Sequence, residues 1–121
     1  MDLGDKRRDD TLMNVRLYIL QRATAMLMVP LILAHIVVIF YATRKGLSAA
    51  DILTRTRGSV AWAAYYGLFV IAAAIHAGIG VRTVAIEWGG LRSRSADAVM
   101  WGTGLALVVL GLRAVIAVVL P

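Results

Sequence analysis

Apolar positions in this chain are not interleaved with polar ones at helix or strand period. They are gathered into three long runs. The first is Ala23–Thr43, with His35 its only ionisable side chain before Tyr41. The second, Val60–Val81, is interrupted by His76. The third is Ala98–Leu120, in which Arg113 is the one charge. About 20 helical residues cross ~30 Å of hydrocarbon, so each run is long enough to span. Lipid offers no partner to an open backbone, so each must be helical. The pattern predicts an all-α integral membrane protein. Its three transmembrane helices are placed at about 22–43, 60–84 and 98–120 of a single 1–121 domain.

Residues 1–21 read as a separate cytoplasmic segment ahead of the first helix. Asp10 or Thr11 is suited to cap a short amphipathic helix carrying Leu12, Val15, Tyr18 and Ile19 on one side. Such a helix can lie on the membrane surface or receive a soluble partner. A cleaved signal is a poor alternative to the first helix, because a long and mostly polar stretch precedes an apolar core too extended for one.

Charge then orients the helices. Lys6, Arg7, Arg8, Arg16, Arg22, Arg82, Arg92 and Arg94 flank one side of the membrane. Arg44, Lys45, Arg55, Arg57 and Arg113 belong to the other. Eight against five favours a cytoplasmic N-terminus. Trp62, Trp88 and Trp101 fall near helix ends, where interfacial aromatics belong.

Composition agrees. The chain is 60% hydrophobic, with mean hydropathy +0.79. Its net charge of +6 sits at the ends of apolar runs, which suits lipid headgroups rather than nucleic acid. The absence of cysteine excludes disulfides, thiolate metal sites and thiol catalysis.

Ionisable groups at membrane depth mark function. His76 is either a haem ligand or a packing or proton-relay histidine. Its neighbours Ala72, Ala73, Ala77, Gly78 and Gly80 leave room for a flat macrocycle but also serve helix packing. Measured from Trp88 and Tyr18, His35 lies about 8 Å deeper than His76. That is too far for both to ligate one iron, since metal–nitrogen bonds are about 2 Å long. A second ligand for His76 must therefore come from another polypeptide. Arg22 and Arg82 stand at cytoplasmic helix ends, as topology anchors or as partners for a carboxylate. Arg113 reads as snorkelling to the far interface.

At these residues the chain resembles a known family. His76-Ala-Gly-Ile-Gly-Val-Arg-Thr-Val-Ala-Ile-Glu-Trp-Gly is similar to the second-helix signature of the cytochrome b anchor of succinate dehydrogenase and fumarate reductase. In that signature a haem-ligand histidine is followed by glycine, arginine and an acid, matched here by His76, Gly80, Arg82 and Glu87. Tyr18-Ile-Leu-Gln-Arg-Ala-Thr-Ala resembles the first-helix signature through Arg22 and Thr24. There Tyr18 replaces the quinone-site serine, Gln21 a histidine and Ala25 a glycine.

The resemblance implies a larger helix bundle holding haem b, with a flavoprotein and an iron–sulfur subunit docked on the cytoplasmic side. It implies His76 on the haem iron, Arg82 at a propionate, and a quinone near Arg22 and Tyr18. His35 is reminiscent of relatives holding two haems in one five-helix chain, where first- and second-helix histidines ligate different haems. It is thus a candidate ligand of a second haem iron. The second anchor chain is either a different subunit or a copy of this one. The other readings are a transporter or assembly subunit without haem, using His35 and His76 for proton relay or packing.

Overall fold

The computed structural model describes residues 2–120, which form four helices. They are α1 (Leu3–Lys45), α2 (Ala49–Thr56), α3 (Val60–Glu87) and α4 (Ser93–Val119). Three of them are long and apolar enough to cross a membrane. No strand occurs among the described residues.

The N-terminal segment is not a separate element. α1 runs unbroken for 43 residues, or about 65 Å, twice the ~30 Å hydrocarbon thickness. Its cap is Asp2, whose carboxylate accepts from the Gly4 amide, rather than Asp10 or Thr11. The Thr11 hydroxyl instead donates back to the Arg7 carbonyl oxygen at 2.9 Å, as a threonine inside a helix does. Nothing between residues 3 and 22 breaks a helix, so the helix continues past the apolar run into water. For the same reason α3 continues to Glu87 and α4 begins at Ser93, beyond the ends that hydropathy alone assigns.

Leu12, Val15, Tyr18 and Ile19 all remain exposed. The face that meets the bundle is Asn14, Leu17, Gln21 and Thr24, at spacings of three and four. α1 ends at Gly46, whose φ of 62° is left-handed and suits a residue without Cβ. α2, which the hydropathy pattern does not reveal, opens with a capping box. The Ser48 hydroxyl accepts from the Asp51 amide, and the Asp51 carboxylate accepts from the Ser48 amide at 2.8 Å. The segment after it docks on the end of α4. The Thr56 hydroxyl donates to the Val118 carbonyl oxygen and the Gly58 amide to that of Val119, both at 2.7 Å. Two carbonyls orphaned at the helix terminus are thereby satisfied.

α3 lies between α1 and α4 and packs most extensively on α4. Small residues permit that approach. A Cβ on Gly78 would meet the Met100 carbonyl oxygen at 3.2 Å, and one on Gly111 would meet Val70 Cγ1 at 2.5 Å. Ala72, Ala74, Ile79, Ala96 and Met100 are buried, while large apolar side chains such as Met26, Leu33, Val37 and Leu105 face outward. That inversion suits lipid, where burial in protein gains little over burial in acyl chains.

Candidate functional site

Three elements converge where the N-terminal half of α1, the C-terminal end of α3 and the N-terminal end of α4 meet. The His76 ring reaches α1: its Nδ1 lies 3.3 Å from the Gln21 carbonyl oxygen and 3.4 Å from Thr24 Oγ1. The Thr24 hydroxyl proton is committed to the carbonyl oxygens of Leu20, at 2.8 Å, and Gln21. Both partners therefore act as acceptors, so Nδ1 carries the ring proton and Nε2 keeps its lone pair. Nε2 makes no hydrogen bond and is not among the enclosed, unpartnered atoms. His76 lines a shallow apolar recess of about 440 Å³ with Ala77, Gly80, Val81, Val84 and Ala85. The small residues around it thus divide by face. Ala72, Ala74 and Gly78 are buried, with Gly78 against α4, while Ala77 and Gly80 flank the histidine.

Arg82 is 8% exposed and does not stand free. Its Nε donates to Asp97 Oδ1 of α4 at 2.6 Å, and its Nη1 to Asn14 Oδ1 of α1 at 3.5 Å. One guanidinium thereby ties all three long helices together. Beside it opens a polar cavity of about 550 Å³ lined by Asn14, Leu17, Tyr18, Gln21, Ile79 and Gly80, and closed by Arg82, Thr83 and Glu87. A Cβ on Gly80 would lie 3.4 Å from Gln21 Nε2, so the glycine makes space for that amide. Gln21 Oε1 is buried without a partner.

Arg22 stands on the next face of α1, exposed and outside the cavity lining. Its Nη1 donates to the Tyr18 hydroxyl at 3.4 Å, and its Cζ lies 5.7 Å from that ring's centre. Arg113 is exposed on α4, away from the site.

His35 is elsewhere. Its ring meets Tyr66 edge-on at 6.0 Å and Phe69 at 5.8 Å, and its Nδ1 is buried without a partner. Trp62 and Tyr65 extend this aromatic cluster, and the Tyr65 hydroxyl donates to the Leu31 carbonyl oxygen of α1 at 2.5 Å. Tyr66 and Phe69 precede His76 by two to three helical turns, which puts the two histidines about 10–15 Å apart in depth. Counting from the helix-end aromatics yields only about 8 Å. That count assumes Tyr18 to be level with Trp88, an assumption that counting along α3 from the neighbours of His35 avoids. The larger separation strengthens the conclusion that one chain cannot place both histidines on one iron.

Sequence reasoning did not find Asn14 or Asp97 as site residues. Both are polar groups in helix flanks, where solvated side chains are ordinary. Their one signal is that each lies on the helix turn that faces a buried arginine, which requires the fold.

Three helices long and apolar enough to cross a membrane describe a multi-pass membrane protein. Residues 11–118 match the succinate dehydrogenase/fumarate reductase transmembrane subunit family, and the chain belongs to that family. No curated protein and no solved structure matches it.

Proposed function

We propose that this chain is the haem b-binding anchor of a succinate dehydrogenase or fumarate reductase-type complex. Electrons move through it between an iron–sulfur subunit and membrane quinone. The observation that carries this reading is the hydrogen bonding of His76. A metal-ligating histidine characteristically donates its other ring N–H to a carbonyl or carboxylate, which fixes the tautomer and aims the lone pair. His76 has that arrangement, with its Nε2 free beside small side chains.

The residues present fit a haem. His76 would hold the iron from one side, and the open recess leaves the other side to a second chain. Haem, when bound, would supply a one-electron carrier beside the one-electron iron–sulfur donor and the two-electron quinone acceptor. Gly80 keeps the approach to His76 clear, while Arg82 is taken up by Asp97 and Asn14 and does not line this recess. The quinone belongs in the adjoining polar cavity, where the Tyr18 hydroxyl, oriented by Arg22, hydrogen-bonds a carbonyl. That bond strengthens as negative charge develops on the oxygen. The excess of basic residues on one side supports a cytoplasmic location for this end, where the flavoprotein and iron–sulfur subunits would dock.

A second reading concerns the other anchor chain. The depth offset of His35 allows two copies of this chain about a two-fold axis, each haem taking the same histidine from both, but the packing of His35 on Tyr66 and Phe69 weighs against it. A different second anchor with a single haem is the alternative. A dithionite-reduced spectrum of the purified complex, with haem and chain stoichiometry, tests both readings. A low-spin b-type band supports the haem assignment, and its absence removes it. Two haems per two identical anchors support the pair. One haem beside an unrelated three-helix polypeptide ends it.

A further inference from the structure

The polar cavity adjoins an apolar groove of about 330 Å³ set between α1, α3 and α4. Leu17 and Ile79 line both spaces and form the neck between them. The cavity lies toward the polar ends of the helices, at Arg82 and Glu87. The groove lies deeper, alongside Ala74, Gly78 and Gly104. A small polar head joined to a long apolar tail matches that sequence of surfaces.

We propose that the groove is the tail subsite of an isoprenoid quinone whose head occupies the polar cavity, an inference that rests on the quinone reading above. The competing occupant is a phospholipid, and charge decides against it. The Arg82 cation is neutralised by Asp97 at 2.6 Å, and Glu87 adds a carboxylate at the cavity. No free positive charge remains among the lining groups to hold a phosphate, and a second anion would be repelled. What the cavity offers instead is neutral: the Tyr18 hydroxyl, and the Gln21 amide with its buried, unpartnered Oε1. That oxygen accepts and needs a donor, which the hydroxyl of a reduced quinone provides. The groove volume falls in the range of ligand pockets, and its walls are apolar, as a hydrocarbon tail requires.

Leu105 stands at the open edge of the groove and is 67% exposed, so a larger side chain there fills the groove without entering the α3–α4 contact. In the intact complex, Leu105→Trp is expected to raise KM about tenfold for a quinone with a ten-carbon tail, the worth of roughly two buried methylene groups. KM for a tail-less quinone should not move. Unchanged values for both quinones, or an equal rise in both, would overturn the groove assignment. Labelling gives a readout free of turnover. A quinone with a photoreactive group at the tail end should mark residues 101–108, and excess tailed quinone should protect them. Labelling elsewhere, or protection by phospholipid alone, would count against the tail. The head reading fails separately. A selective Leu105→Trp effect beside an inert Tyr18→Phe supports the tail subsite and removes the head assignment. An impaired Tyr18→Phe with no selectivity at Leu105 does the reverse.

Discussion

His76 and His35 are both half-buried, and both belong to helices built of apolar residues. What separates them is the neighbouring helix. Across from His76, α1 presents a backbone carbonyl and a threonine hydroxyl, which together set the proton on Nδ1. Across from His35, α3 presents Tyr66 and Phe69, whose rings offer edges and faces but no acceptor within reach of Nδ1. The first surrounding suits the coordination proposed for His76. The second packs it. Lying at membrane depth does not distinguish the two histidines; the group opposite the inner nitrogen does.

The largest expected effect bears directly on that contrast. His76→Leu should abolish a low-spin b-type spectrum, with the chain still present in the membrane, whereas His35→Leu should leave the main band in place. Loss of the band in His35→Leu alone would invert the comparison, and partial loss in each would favour two haems. Reduced-minus-oxidised spectra at matched protein levels provide the check.

The ion pair beside His76 is next. Asp97→Ala strands a guanidinium that is 8% exposed. Breaking a fully buried pair costs about 3–5 kcal/mol. The Asp97 side chain keeps 31% exposure, so water offsets part of that, and about 2 kcal/mol is expected. Thermal unfolding of the detergent-solubilised protein measures it. Arg82→Lys should rescue little, since a lysine cannot reach Asp97 and Asn14 with one planar fork.

Arg22→Leu sharpens the functional side of the contrast. Quinone reductase activity is expected to fall about tenfold, the worth of one hydrogen bond to a charged group. Transfer to a soluble dye should persist. Equal loss in both assays would assign Arg22 to assembly.

The smallest effect lies at the far end of the molecule. Ser48→Ala removes the hydroxyl that caps α2, and amide exchange there should quicken about fivefold. Asp51 in the same box is held below its ordinary carboxylate pKa, chiefly by the Ser48 hydroxyl, then by the Ser48 amide and Arg55. Because the native value is the lower one, its contribution is complete above the ordinary carboxylate range and fades as pH falls through that native value. The Ser48→Ala difference should therefore be full at neutral pH and shrink in acid.

Much of this architecture is legible in the residue order. Apolar runs of about 20 residues with hardly a charge have few fates outside a bilayer, so hydropathy along the chain reveals the three spans. The signature around His76 points to residues that the fold gathers at one end. Helix ends are less legible, because hydropathy marks where lipid stops and not where hydrogen bonding stops. That is why the polar N-terminal segment is continuous with α1 rather than separate from it.

The chain's residue order decided the number of spans, the chemistry available at His76 and Arg82, and the small residues that let helices approach. It could not decide which faces meet. Asn14 and Asp97 are polar residues in flanks until three helices close around Arg82 and leave its charge no other neutraliser. Gln21 and Thr24 become partners of His76 only because α1 crosses α3 at that turn. Contacts between residues so far apart in the chain depend on helix rotation and crossing, which local periodicity does not carry. Tertiary packing sets them, because small residues such as Gly78 and Gly111 admit one close approach and obstruct the alternatives.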